Sequence, residues 1–247
     1  MLSLRLHILL TILVISFSQA QNNHISTQQT WFQCFATARL HQNFGIQADA
    51  GTRRHDDEYF IRNPLQTFYR VGTNYFFTDN IFLTLGYTYF ESMNLNMNLS
   101  VPENRPWQSL TIRHKWGRLD VRHRQRLEQR FRRQSNDSVL LDGVFFNWRT
   151  GYNLQIQIPI LSTTIKSKEP FLIVWDEIFV NFGPNTSNST FDQNRLYGGL
   201  GCLFNNVVSA NIGYMYLVLN RSDVLIHNHC IRATMTFTFD ARKSNKY

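Results

Sequence analysis

The side chains with the most chemistry to offer are arginines and carboxylates that recur at alternate positions. Asp120, Arg122, Arg124, Arg126, Glu128, Arg130 and Arg132 follow one another at every second residue. In a β-strand that spacing places all of them on one face. In a helix the arginines would spread around the cylinder and leave no coherent apolar stripe. The strand reading follows, although its other face (Leu119, Val121, Leu127, Phe131) is diluted by His123, Gln125 and Gln129. Arg113 and Lys115 precede this segment and Arg149 follows it, with Arg70, Arg195 and Arg232 further along and Glu177 and Asp49 as anions. Facing one enclosed space, such residues form either a network that satisfies its own charges or an anion-attracting column. A barrel of ten to twelve strands has a small interior, which favours the network.

Other chemistries fit less well. Glu128 and Glu177 could serve as an acid–base pair, but flanking arginines tie carboxylates into ion pairs and favour a structural role. GxSxG, HExxH and phosphate-loop motifs are missing from the sequence. Membrane-embedded hydrolases and acyltransferases would draw on His55, Asp56, Asp57, His227 or His229, all near expected external loops, where polar residues are more often simply solvated. The chain reads as a non-enzyme more readily than as an enzyme, and no residue is assigned a catalytic role. Cys34, Cys202 and Cys230 are odd in number and lack metal-ligand spacing, so neither a disulfide framework nor a metal or other cofactor is expected. A net charge of +8 and a pI near 9.6 invite a nucleic-acid reading. That reading needs exposed basic residues among stacking aromatics, whereas these arginines alternate with outward-facing positions, so no nucleic-acid partner is expected.

The elements that must position these charges are strands. Across 145–160, Phe146, Trp148, Thr150, Tyr152, Leu154, Ile156 and Ile158 point one way, and Asn147, Arg149, Gly151, Asn153, Gln155 and Gln157 the other. Such long period-two alternation is the pattern of a strand with lipid outside and a polar interior. Phe44, Ile46, Ala48 and Ala50 oppose Gln47, Asp49, Gly51 and Arg53 in the same way. Tyr69, Val71, Thr73 and Tyr75 oppose Arg70, Gly72 and Asn74, while Leu83, Leu85, Tyr87 and Tyr89 oppose Thr84, Gly86 and Thr88. Ile231, Ala233, Met235, Phe237 and Phe239 oppose Arg232, Thr234, Thr236 and Thr238. One residue breaks the pattern: Asp176 shares a face with Leu172, Val174, Ile178 and Val180. It requires either an interfacial position or a bulge that shifts the register.

Tight turns are expected at 41–43, 78–80, 117–118 and 205–206, and longer loops at 56–66, 93–106, 134–143 and 183–194. This is the asymmetry of short periplasmic turns and long external loops. Residues 1–20 have the form of a signal peptide: Arg5, an apolar run over 6–17, and Ser18-Gln19-Ala20 as the cleavage site. The apolar run is too short for a membrane anchor. A polar lead (21–30), a barrel domain (31–240) and a polar tail (241–247) follow. The expected fold is all-β: a closed antiparallel transmembrane β-barrel of about 12 strands (10–12), in the Gram-negative outer membrane. About eleven segments are visible, and an even number is preferred in such barrels. The competing fold is a soluble sandwich or lipocalin-like barrel with the apolar face inward; strand length and the width of the apolar face argue against it. Asn98, Asn136, Asn185, Asn188 and Asn220 occupy glycosylation sequons, which an Asn-rich chain produces by chance in loops.

Several segments, taken in order, resemble the uncharacterised bacterial domain-of-unknown-function family numbered 2490. They are Glu103-Asn-Arg105-Pro-Trp107-Gln108, Arg126-Leu-Glu128-Gln-Arg130, the Arg149 strand, Asp176-Glu177-Ile-Phe179-Val-Asn181, Asn194-Arg195 with Gly199-Leu-Gly201, and Gly213-Tyr214-Met215. The resemblance implies an outer-membrane β-barrel with no assigned activity. It also implies that Glu103, Arg105, Arg126, Glu128 and Arg130 belong to the family pattern, compatible with an inward network. The extra basicity of Arg122, Arg124, Arg132 and Arg133 departs from that pattern. Expected partners are outer-membrane lipid, the barrel assembly machinery, and an envelope protein of unknown identity. The expected role is a scaffold barrel with an Arg/Glu-filled lumen, ahead of a small anion-permeable channel and a membrane-embedded enzyme.

Overall fold

The computed structural model describes residues 24–55, 64–94, 99–136, 139–184, 186, 190–221 and 224–242. The expected signal peptide, Asp56, Asp57, the sequon residues Asn98, Asn185 and Asn188, and the end of the expected tail lie outside them. The described residues form eleven strands and no helix, so no helix long and apolar enough to cross a membrane occurs among them. The strands are β1 (His24–Arg39), β2 (Phe44–His55), β3 (Pro64–Phe76), β4 (Ile81–Asn94), β5 (Leu99–Trp116) and β6 (Leu119–Ser135). They continue with β7 (Leu140–Pro159), β8 (Pro170–Phe182), β9 (Phe191–Leu203), β10 (Val208–Arg221) and β11 (Val224–Asp240). Neighbours in sequence are neighbours in space, and β1 pairs with β11 to close the barrel.

Eleven lies within the expected ten to twelve and matches the segments visible in the sequence but not the favoured twelve, and the closure corrects the expectation of an all-antiparallel barrel. With an odd number of up-and-down strands, the first and last run the same way, and β1 and β11 pair in parallel, from His24↔Leu225 to Arg39↔Asp240. The strand pattern also starts earlier than residue 31, because Gln28 and Gln29 continue the β1 ladder beside His229 and Cys230. Buried Asn228 anchors this seam by accepting hydrogen bonds from Thr27 Oγ1 (2.5 Å) and Gln29 Nε2 (2.6 Å). β1 and β11 both start at what we term the amino end of the barrel and both finish at its carboxyl end.

Connection lengths differ from the expected asymmetry. Residues 99–106 are strand rather than loop, because Val101, Glu103, Arg105 and Trp107 continue the inward alternation of β5. The amino end carries the connections 56–63, 95–98, 136–139, 183–190 and 222–223; the carboxyl end carries 40–43, 77–80, 117–118, 160–169 and 204–207. The connection 160–169 is as long as any at the opposite end, so length alone does not distinguish the two ends.

Period-two alternation sorts the side chains as the sequence suggests. Val71, Leu85 and Ile212 are 59%, 56% and 58% exposed on the outer face, whereas Trp107, Phe179 and Met215 are nearly fully buried inside. Interior aromatic rings lie over glycines of adjacent strands: a Cβ on Gly86 would come within 2.3 Å of the Trp107 ring, and one on Gly151 within 2.5 Å of Phe179. Only glycine leaves room for a ring at these two crossings.

An interior of arginines, carboxylates and rings

Adjacent-strand register carries the inward face round the barrel. Glu103 (β5) lies opposite Arg132, Trp107 opposite Glu128 and Ser109 opposite Arg126. Glu128 then meets Arg149 and Arg124 meets Asn153 on β7; Asn153 meets Glu177 on β8, and Glu177 meets Arg195 on β9. Every charged position singled out in the sequence (Arg70, Glu103, Arg105, Arg113, Arg122, Arg124, Arg126, Glu128, Arg130, Arg149, Glu177, Arg195, Arg232) therefore falls on the inward face.

Most of these side chains join ion pairs. Glu103 accepts from Arg105 Nε (2.6 Å) and Nη2 (2.9 Å) and from Arg130 Nε (2.6 Å). Arg130 reaches Asp192 at 3.9 Å. Arg149 donates to Asp192 (2.8 Å) and, through Nη2 and Nε, to Glu128 (2.5 and 2.8 Å). Arg126 completes this chain at 3.5 Å from Glu128. Nearby, Glu177 accepts from Arg124 (2.6 Å) and Arg195 (3.2 Å). The Gln193 carboxamide, with its oxygen turned toward the guanidinium groups, accepts from Arg149 (3.1 Å) and Arg195 (2.9 Å) and links the two chains. Across the barrel Arg70 pairs with Asp49 (3.4 Å), and Gln33 bridges Asp49 to Arg232.

The guanidinium groups are interleaved with aromatic rings. Arg126 lies 4.9 Å from the Trp107 ring centre, Arg53 3.9 Å from Trp31, Arg149 4.5 Å from Phe179 and Arg105 4.2 Å from Phe90. A planar guanidinium can stack on a ring while its edge binds a carboxylate, which a lysine ammonium cannot do.

Not every predicted member is ion-paired. Among the described residues, Arg113, Arg122 and Arg232 have no carboxylate within 4 Å. Arg113 lies over the Phe82 ring (5.0 Å), Arg122 donates to Gln155 (2.6 Å), and Arg232 donates to Gln33 (2.6 Å). Asp192 is a central member that sequence reasoning missed, because 183–194 read as a loop. A β-bulge explains its position: Phe179 pairs with Gln193 and Val180 with Phe191, so Asp192 is the extra residue and both Asp192 and Gln193 are buried. That bulge lies three residues beyond Asp176 and leaves it on the outer face, where Asn194 donates to it (2.9 Å).

Of the residues considered for catalysis, Asp56 and Asp57 lie outside the described residues, and His227 and His229 share a patch with Tyr214 and Tyr216. His229 meets the Tyr214 hydroxyl at 2.5 Å and His227 meets that of Tyr216, all on the outer face. Glu128 and Glu177 are each held by two guanidinium groups. No group of three His, Cys, Asp or Glu side chains able to hold a metal occurs among the described residues.

This fold and interior define a closed eleven-stranded β-barrel whose interior combines ion-paired charges with aromatic rings and whose outer face is lined by exposed apolar side chains. The chain belongs to the family described as Protein of unknown function (DUF2490), whose model matches residues 28–224. That match runs from β1 to the first residue of β11. No curated protein and no solved structure matches the chain.

Proposed function

We propose that this protein is an outer-membrane β-barrel whose interior is sealed by its own arginine–carboxylate network, acting as a scaffold in the Gram-negative envelope. One observation carries the reading: the inversion of polarity across the wall. Glu128 and Arg149 are buried inside while Val71, Leu85, Leu172, Leu200 and Ile212 are exposed outside. A soluble monomer rarely presents so continuous an apolar surface to water, and a closed barrel satisfies every backbone group in lipid. Aromatic residues at the carboxyl end support the same placement. Phe44, Tyr75 and Phe77 pack edge to face at 5.3 and 5.2 Å, with Trp116, Phe204 and Phe239 at neighbouring strand ends, as an interfacial girdle requires.

On this reading the partners are outer-membrane lipid, the assembly machinery that inserts barrels, and an envelope protein of unknown identity. The ion-paired chain through Glu103, Arg130, Asp192, Arg149 and Glu128 links β5, β6, β7 and β9 through the interior and supports a sealed barrel. The surplus of interior arginine supports a second reading, a small anion-permeable channel. Fractionation followed by gel electrophoresis with and without boiling tests the placement: the mature chain should sediment with outer membranes and migrate faster unboiled. Recovery in the soluble fraction would refute it. Planar-bilayer recording separates the two readings, since a sealed barrel gives no conductance steps and an anion channel gives steps selective for anions.

A further inference from the structure

The interior charge is unevenly distributed along the barrel. Its buried carboxylates, Asp49, Glu103, Glu128, Glu177 and Asp192, occupy the middle and amino-end portions of their strands, and every one is engaged by arginine. Toward the carboxyl end the arginines continue, while the carboxylates on that face, Asp120 and Asp240, are held by Lys115 and Arg242. Arg113 and Arg122 are direct cross-strand partners on the inward face, each four positions from the tight turn at 117–118. Like charges directly opposite one another in a sheet repel. The nearest acid in this hairpin, Asp120, is paired with Lys115 (3.5 Å), and both oxygens of Glu177 are taken by Arg124 and Arg195.

The donors left over point to what is missing. Arg122 donates one hydrogen bond, to Gln155, and its Nε is buried without an acceptor; the Nε atoms of Arg124 and Arg232 are buried and unbonded as well. Arg113 makes no side-chain hydrogen bond among the described residues, and its side chain is exposed at the mouth. Buried guanidinium groups without a counter-charge are costly, and two forks sharing one acceptor with several oxygens would remove that cost. We propose that the carboxyl-end vestibule of the barrel binds a phosphate-class oxyanion between Arg113 and Arg122. The anion enters from the carboxyl end and stops below the ion-paired chain, so it is bound rather than conducted.

The test uses the full mature chain, folded in detergent micelles in phosphate-free buffer and titrated with inorganic phosphate by calorimetry and ³¹P NMR. Saturable binding of one phosphate per chain is expected. Arg113→Gln and Arg122→Gln should each raise the dissociation constant about tenfold or more, equivalent to the loss of one charge-assisted contact. Arg122→Lys, which keeps the charge without the fork, should weaken binding less. Arg242→Gln removes the same charge at the same end but outside the interior, and should leave binding unchanged. Each variant is first checked for heat-modifiable mobility, and phosphate should raise the parent's melting temperature without raising that of Arg122→Gln. A parallel titration with dihexanoyl phosphatidic acid separates a lipid headgroup from free phosphate as the natural source; Arg122-dependent binding of either supports the site. No saturable binding of either probe, or equal weakening by Arg242→Gln, overturns it. Conductance steps would refute the sealed barrel and leave this site standing, whereas failure of both titrations would refute the site and leave the sealed barrel intact.

Discussion

Replacing Glu128 by glutamine tests whether the interior ions form one interdependent network. Glu128 and Arg149 have side-chain exposures of 5% and 6%, and Glu128 accepts from Arg149 at 2.5 and 2.8 Å and from Arg126 at 3.5 Å. The substitution preserves shape but removes the charge and turns an amide donor toward guanidinium donors. Arg149 keeps Asp192 at 2.8 Å, whereas Arg126 keeps no carboxylate within 4 Å. Breaking a buried pair costs about 3–5 kcal/mol because a charge is left uncompensated. With one of the two arginines still paired, we expect the lower end, about 3 kcal/mol. Urea unfolding in micelles, followed by the fluorescence of interior Trp31, Trp107 and Trp175, reads this as a lower midpoint at unchanged slope. The exposed pair Arg133–Asp142, at 3.0 Å with side chains 39% and 108% exposed, is the matched control. Asp142→Asn should leave the midpoint unchanged, because solvent screens such pairs. A loss below about 1 kcal/mol for Glu128→Gln would show that the network contributes little beyond packing.

Two further substitutions probe the wall. Gly86→Ala should destabilise the barrel by about 1–3 kcal/mol through overpacking against Trp107, and adding Trp107→Leu should recover part of that loss; additive effects in a double-mutant cycle would refute the proposed contact. Asp176→Leu should raise stability in lipid vesicles by about 1 kcal/mol, since it removes a carboxylate from an apolar outer face, and an unchanged or lower midpoint in vesicles would count against lipid on that face.

The barrel was legible in the sequence because a long strand with different surroundings on its two faces must alternate, and the alternation over 145–160 or 231–239 sorts the residues onto two faces without saying which of them is inward. Periodicity put Arg126 and Glu128 on one face and Arg149 on the polar face of its strand; the strand register is what places them, with Glu177 and Arg195, on the inward side. What stayed hidden depends on register between strands. The parallel seam follows from an odd strand count, and Gln28 and Gln29 look like a polar lead until β11 is placed beside them. Pro102 and Pro106 make β5 read as a loop, yet the strand continues through both positions. Asp192 could not be placed because a bulge has no periodic signature; only the pairing of β8 with β9 turns it inward. Nor does alternation tell an inward aromatic such as Trp175 or Phe179 from an outward one until the carboxylate between them fixes the face.

Basicity acquires a different meaning once the faces are known. A pI near 9.6 would ordinarily describe a surface able to attract polyanions. Here much of the positive charge is enclosed, and its chemistry is chosen for enclosure. An ammonium needs its donors satisfied on all sides, whereas a guanidinium can rest a face on Trp31, Phe90, Trp107 or Phe179 and direct its edge at a carboxylate. Rings and arginines therefore fill the same volume, and the carboxylates decide where that filling is neutral. Near the amino end Glu103, Glu128 and Asp192 make it so, as the proposed sealed interior requires. Beside the 117–118 turn Asp120 is paired with Lys115, and among the described residues no carboxylate lies within 4 Å of Arg113 or Arg122, which is where the proposed anion would restore neutrality.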